Sequence, residues 1–210
     1  MTLRVSGATG EIVLTVPERA KLTGIDQFLQ AHAGWIAVRL ARLPDRIPFR
    51  QGEIVPLRGV PHRIRADGRS RGLAAATSPQ DGEAVLSVAG DAAGVPGRVR
   101  RFLKGQAQAD LSAAVARYTA ATETTACQIT LRDTRSRWGS CSSSGALSFS
   151  WRLIMAPPLV LDYLAAHEVA HLKEMNHSAR YWRLLRGMCP ATDEAEAWLK
   201  RHGTELHRYG

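Results

Sequence analysis

The chain has 210 residues, 45% of them hydrophobic, with a formal net charge of +9. That apolar share buries a substantial core and excludes a disordered chain, and the size fits one domain or one domain with a small lobe. No basic start leads into an apolar segment and a small-residue cleavage site, and no apolar run is long enough to span a bilayer, so no membrane partner and a cytoplasmic location are expected.

In chain order, residues 3–6, 11–16, 53–57, 62–66 and 83–88 read as short strands bounded by Gly, Pro and Asp. Between the second and third lies one helix, capped by Asp26, running through Phe28, Leu29, Trp35, Ile36, Val38 and Leu40 and followed by Pro44. The polar, aperiodic stretch 67–82 predicts a loop or hairpin excursion. From 96 to about 121 the chain is rich in Ala, Gln, Arg and Leu, with Val99, Phe102, Leu103, Leu111 and Val115 at helical spacing, so a long amphipathic helix is expected despite Gly105. Residues 1–95 are thus expected as a mainly β part and 96–210 as a helical part with the site, within one compact domain.

Charge is unevenly placed along this order: residues 1–150 hold 20 Lys and Arg against 12 Asp and Glu, and residues 151–210 hold 8 against 7. The excess, including Arg98, Arg100, Arg101 and Lys104 on the long helix, suits an acidic partner such as nucleic acid, although a solvated helix face is the commoner reason for such charges. A strand at 127–131, a loop at 132–145 and a strand at 146–153 follow. Cys127, Cys141 and Cys189 lack CxxC spacing, so neither disulfides nor a cysteine metal site is expected.

Pro157 and Pro158 then open a mostly apolar helix, and it carries His167, Glu168 and His171. Two histidines four residues apart share one helix face, which lets two neutral imidazoles converge on one ion near 2.0–2.1 Å. A metal satisfies several polar groups that an apolar helix otherwise buries at a cost. Glu168 lies beside the first ligand, placed to reach a water on the ion without binding the ion itself. His177 is the third ligand if the chain leaves the helix near Met175-Asn176, with Asn176 taking a left-handed conformation and Ser178 capping a helix over 179–188. Three protein ligands and an open position describe a catalytic Zn2+ site, one ion per chain, with Glu168 as the general base. His32, His62, His202 and His207 read as surface or core residues, and residues 193–201 as a closing helix.

The segment Arg137-Trp138-Gly139-Ser140-Cys141, with Leu147 through Leu153, His167-Glu168-Val169-Ala170-His171-Leu172, Asn176-His177-Ser178 and Tyr181-Trp182, resembles the YgjP-like metallopeptidases, which are related in fold to SprT-like and Wss1-like proteases. The likeness is strong from about residue 132 to 189 and diffuse before it. It implies a compact zincin fold, one zinc on the three histidines and a Glu base, and no motif implies the biological substrate. Metzincins share the ligand spacing but place Gly midway between the second and third histidines; Glu174 stands there in this chain, so that label is disfavoured.

In the strand at 146–153, Leu147, Phe149, Trp151 and Leu153 alternate with Ser148, Ser150 and Arg152, which describes one buried face. Its place before the metal helix, together with the resemblance, suggests an edge strand whose backbone at Ser148 and Ser150 pairs with an extended substrate. Arg135 and Arg137 are candidate contacts to a substrate carboxylate or carbonyl, against the equal reading of a packed turn at Trp138-Gly139. Tyr181 is a candidate oxyanion donor, though packing behind His177 is favoured. The reading is therefore an α+β zincin-like fold, a mixed or antiparallel sheet packed on the HExxH helix, hydrolysing peptide or protein substrates. The alternatives are a DNA-associated protease or nucleic-acid-binding protein, and a zinc-binding domain without turnover.

Overall fold

The computed structural model describes residues 1–5, 10–41, 45–69, 72–77 and 82–210. Contacts group them into two units, Met1–Arg46 and Ile47–Gly210. The boundary expected after residue 95 lies inside the second unit, at the first residue of a helix.

The first unit holds β1 (Thr2–Val5) and β2 (Ile12–Thr15), paired antiparallel with Thr2 opposite Thr15, and α1 (Leu22–Ala41). Helix α1 starts four residues before Asp26, the expected cap, because the Lys21 carbonyl already accepts from the Gly24 and Ile25 amides. Asp26 is therefore an interior helix residue. Ser6, expected at the end of the first strand, and Pro44, expected after the helix, lie outside the described residues.

In the second unit β3 (Ile54–Leu57), β4 (Val60–Ala66), β5 (Ala75–Ala76) and β6 (Val85–Val88) form a sheet of order β3-β4-β6-β5, parallel only between β4 and β6. The excursion expected at 67–82 thus returns as a two-residue strand beside β6; its residues 70–71 and 78–81 lie outside the described set. Arg58 and Gly59 turn β3 into β4 with φ of 52° and 78°, the two-residue hairpin geometry that right-handed strand twist favours. The tip of that hairpin docks on the segment before the HExxH helix: the Arg58 amide donates to the Ile154 carbonyl at 2.7 Å, and a Cβ on Gly59 would meet Pro157 at 3.2 Å.

Helix α2 (Val95–Thr122) buries Val95, Val99, Leu103, Ala107, Leu111, Val115 and Tyr118, the stripe that its sequence period predicts. Pro96 sits in its first turn, and Glu123, at φ 53°, ends it in the left-handed region. The Arg58 guanidinium clamps it to the hairpin through Asp110 at 2.7 and 2.8 Å and Gln106 at 2.8 Å.

A second sheet contains β7 (Gln128–Arg132), β8 (Gly139–Cys141) and β9 (Ala146–Ser150) in the order β7-β9-β8, parallel between β7 and β9 and antiparallel between β9 and β8. The expectation that residues 146–153 form an edge strand is overturned. Strand β9 is central, because β8 lies hidden in the stretch read as a loop and takes its second side. The strand also ends at Ser150, whose Oγ accepts the Arg152 amide at 3.4 Å and starts a 3-10 helix over Trp151–Met155. All five residues of that turn are buried, so the alternation read beyond residue 150 does not sort a solvent face from a core face.

The chain closes with α3 (Pro158–Ala170), α4 (Ala179–Met188), α5 (Thr192–His202) and a 3-10 helix over Gly203–Arg208. Helix α3 packs on α2, α4, α5 and β8, and Trp151, Leu153, Ile154, Val160, Leu164 and Val169 fill the space between. Burying each such Leu, Ile or Val contributes about 1.5–3 kcal/mol. The architecture is α+β and zincin-like, with a mixed sheet lying against the HExxH helix. Among the described residues no helix is long and apolar enough to cross a membrane.

Candidate metal centre

Helix α3 delivers His167 and His171 on one face. His171 is its C-cap, still at helical φ −66° and ψ −20°, and the chain leaves the helix at once through Leu172, Lys173 and Glu174. The exit therefore comes earlier than the expected Met175-Asn176 turn, and Asn176 is not among the residues at positive φ. The bend does its expected work by another route: Ser178 Oγ accepts the Tyr181 amide at 3.3 Å, caps α4, and leaves His177 beside the other two histidines.

The three imidazoles each offer a nitrogen, and these nitrogens all lie within 4.8 Å of one another, an arrangement that could hold a metal ion. Nε2 of His177 and Nε2 of His167 are 3.3 Å apart. Two ligands at the usual zinc–nitrogen distance on a tetrahedral ion stand about 3.3–3.4 Å apart, so the donor set fits such an ion.

Hydrogen bonds behind the rings decide which nitrogen faces inward. Tyr163 donates its only hydroxyl proton to Glu196 Oε1 at 2.7 Å, so toward His167 Nδ1, at 3.2 Å, it accepts. That puts the His167 proton on Nδ1 and the lone pair on Nε2, the tautomer a metal needs. His171 Nδ1 likewise lies 3.1 Å from the Glu174 carbonyl, which accepts its proton. Burial, then the neighbouring His171 and His177, push His167 down to about 4, and burial also lowers His171, so both rings are neutral at neutral pH. Burial and Glu196 together hold the Tyr163 phenol far above its ordinary range, hence protonated.

Glu168, which follows His167 on α3, is 3% exposed. Burial pushes its carboxyl up to about 8, with Arg137 pulling the other way. Its carboxylate rests on Gly139: a Cβ there would stand 2.3 Å from Oε1, so only glycine leaves the acid in this place. Strand β8 thereby runs beside Glu168.

Other expected contacts fare differently. Ser148 sits mid-sheet between Thr130 and Ser140, and Ser150 is fully buried, so neither backbone is open to a peptide. Tyr181 is also fully buried, stacks on His171 at 4.6 Å and donates to the His167 carbonyl at 3.1 Å; it braces two histidines, and its hydroxyl is not free for an oxyanion. Arg137 is exposed and acts on Glu168, whereas Arg135 is felt at His207. Tyr163 and Glu196 were missed. The first stands four residues before His167, a spacing that puts it on the same helix face, while nothing local marks the second. A groove of about 430 Å3 lined by Arg58, Asp110, Ile154 and Leu159 lies against the first turn of α3, away from the histidines.

Among curated proteins no match was found. A solved structure, that of the metallopeptidase zymogen of Pyrococcus abyssi abylysin, shares 18% identity over 47% of this chain and 97% of its own, with a TM-score of 0.40, a likeness too slight to bear on the fold. The YgjP-like metallopeptidase domain, by contrast, matches residues 1–202, nearly the whole length. The chain belongs to the YgjP-like metallopeptidase family, and with it come peptide or protein substrates.

Proposed function

We propose that the chain hydrolyses peptide bonds with one zinc ion on His167, His171 and His177 and with Glu168 as the general base. The observation that carries this reading is the convergence of three imidazole nitrogens within 4.8 Å beside a buried carboxyl with raised proton affinity. Zinc on three protein ligands supplies a Lewis acid and an acidified water in the open fourth position. Glu168 accepts a proton there and returns it to the leaving amine. Desolvation raises the proton affinity of the carboxyl, and a dication nearby would lower it again, so that the group would be ionised before it accepts the proton. Tyr163, through Glu196, and the Glu174 carbonyl hold the rings of His167 and His171 in register for the ion.

Substrate lies along β8 in this reading. The Trp138 carbonyl accepts the Ser150 amide and the Ser142 amide donates to the Ala146 carbonyl, so in the alternating antiparallel ladder Ser140 faces β9 while Gly139 and Cys141 face outward. An extended peptide adds to that edge through main-chain bonds, with little demand on its side chains, and its carbonyl passes next to Glu168. Arg137 is the cation we assign to a substrate carbonyl or carboxylate there.

Glu168→Gln is expected to retain one zinc per chain and lose about two to four orders of magnitude in hydrolysis of an unfolded protein. His177→Ala is expected to lose the metal, by elemental analysis. Hydrolysis at the wild-type rate in Glu168→Gln, or full zinc in His177→Ala, would end the assignment.

A further inference from the structure

Residues 203–210 lie beyond the matched family segment, yet a chain of contacts ties them to Glu168. Arg152, 7% exposed, donates from Nη1 to the carbonyls of Leu206 at 3.1 Å and Tyr209 at 2.6 Å, and from Nε to Asp133 at 2.6 Å. Ile47 closes the other side: its amide donates to the Arg208 carbonyl and its carbonyl accepts from Gly210, each at 2.9 Å. The His207 ring stacks on Trp138, with centroids 4.9 Å apart and planes at 22°. The same indole covers Gly203, where a Cβ would come within 3.3 Å of it. The next residue is Gly139, the one that backs Glu168. Gly139 packs directly against the Glu168 carboxylate, on which the Arg137 charge also acts.

We propose that residues 203–210 are a positioning strap for the general base: through His207 and Gly203 they fix Trp138, and Trp138 fixes Gly139 and β8 against Glu168. The proposal rests on the reading of Glu168 as that base. His207 and Trp138 are positioning residues and touch neither substrate nor metal. The strap meets the indole of Trp138, whereas the other anchors of the 133–138 loop, Asp133 on Arg152, Thr134 Oγ1 on the Arg137 carbonyl at 2.8 Å and the Ser150 amide on the Trp138 carbonyl at 2.8 Å, do not touch that ring. A displacement of a fraction of an ångström at Gly139 moves the surface on which that carboxylate rests.

The test uses full-length His207→Ala and His207→Phe, the second keeping a ring on Trp138. Hydrolysis of an unfolded protein by the zinc-loaded chains is measured together with zinc stoichiometry, and deuterium exchange of the amides that tie β8 to β9, those of Ser140 and, on the Trp138 carbonyl, Ser150, is followed in the zinc-free chains. His207→Ala is expected to keep its zinc, lose about 10- to 100-fold in kcat with KM changed by no more than about threefold, and exchange these amides faster. His207→Phe is expected to restore both. Should His207→Ala unfold, Gly203→Ala, which crowds the indole by a few tenths of an ångström, is read in the same way. Unchanged exchange at these amides, or a kcat loss that His207→Phe shares in full, overturns the strap. A wild-type chain that binds zinc without hydrolysis counts against the Glu168 mechanism instead, and the exchange data decide the strap without it.

Discussion

At the scale of single residues, the site depends on which ring nitrogen carries a proton. His167 has its tautomer dictated from outside the cluster, by a tyrosine whose own proton is committed to Glu196 at 2.7 Å. Tyr163→Phe removes the acceptor while keeping the ring in the core, where it is 4% exposed. Zinc affinity is expected to fall about 10- to 100-fold, the usual cost of losing such an outer partner, with the fold intact. Glu196→Gln still offers an amide oxygen to the phenol, so its loss should be the smaller of the two. Competition against a chromogenic chelator measures both; affinities within about twofold of wild type would show that the tautomer is held by something other than this pair.

At the scale of elements, what was legible in the sequence is what leaves a period or a cap. Helix α2 announces itself by a stripe of nine buried residues over eight turns, α3 by its paired prolines and HExxH, and α4 by the Ser178 cap. Strand β8 leaves no such mark. Three residues, Gly, Ser and Cys, show neither alternation nor β propensity, and it is a strand because β9 offers it a ladder. Without β8, β9 reads as an edge, and the edge that the sheet presents is one strand further out. The outward register of Gly139 and Cys141 makes the proposed substrate position testable. Cys141→Pro deletes an outward amide and leaves the ladder to β9 whole, so the protein should fold, keep its zinc and show KM for an extended peptide raised by about tenfold, the worth of one lost main-chain bond. Ser140→Pro deletes an amide that faces β9 and should destabilise the sheet. Normal KM in a folded Cys141→Pro chain would remove β8 as the substrate edge.

At the scale of the whole molecule, the long-range ties were the part no local pattern carried. Arg152 reads as the polar face of a strand, and it is instead a buried hub joining residues 133, 206 and 209; His207 reads as a surface or core residue, and its ring stacks on Trp138 in the loop before β8. Such pairings depend on where distant segments meet, which neither helical nor strand period encodes. They have a thermodynamic signature. Burial, then the Arg152 and Arg135 charges, lower His207 to about 4, with Asp133 opposing. The unfolded chain therefore takes up this proton first as pH falls, near 6.5, while the folded chain resists until about 4. Stability from the neutral stacked ring is complete above about 6.5, declines through that window and is gone below about 4. His207→Phe keeps the stack but cannot titrate. In zinc-free protein, so that metal loss does not enter, wild type should lose about 1–2 kcal/mol more than His207→Phe between pH 7 and 4.5, a figure reduced from the full shift because the ring is only partly buried. Urea unfolding at the two pH values measures it, and equal losses in the two chains would mean that His207 is not held neutral against Trp138.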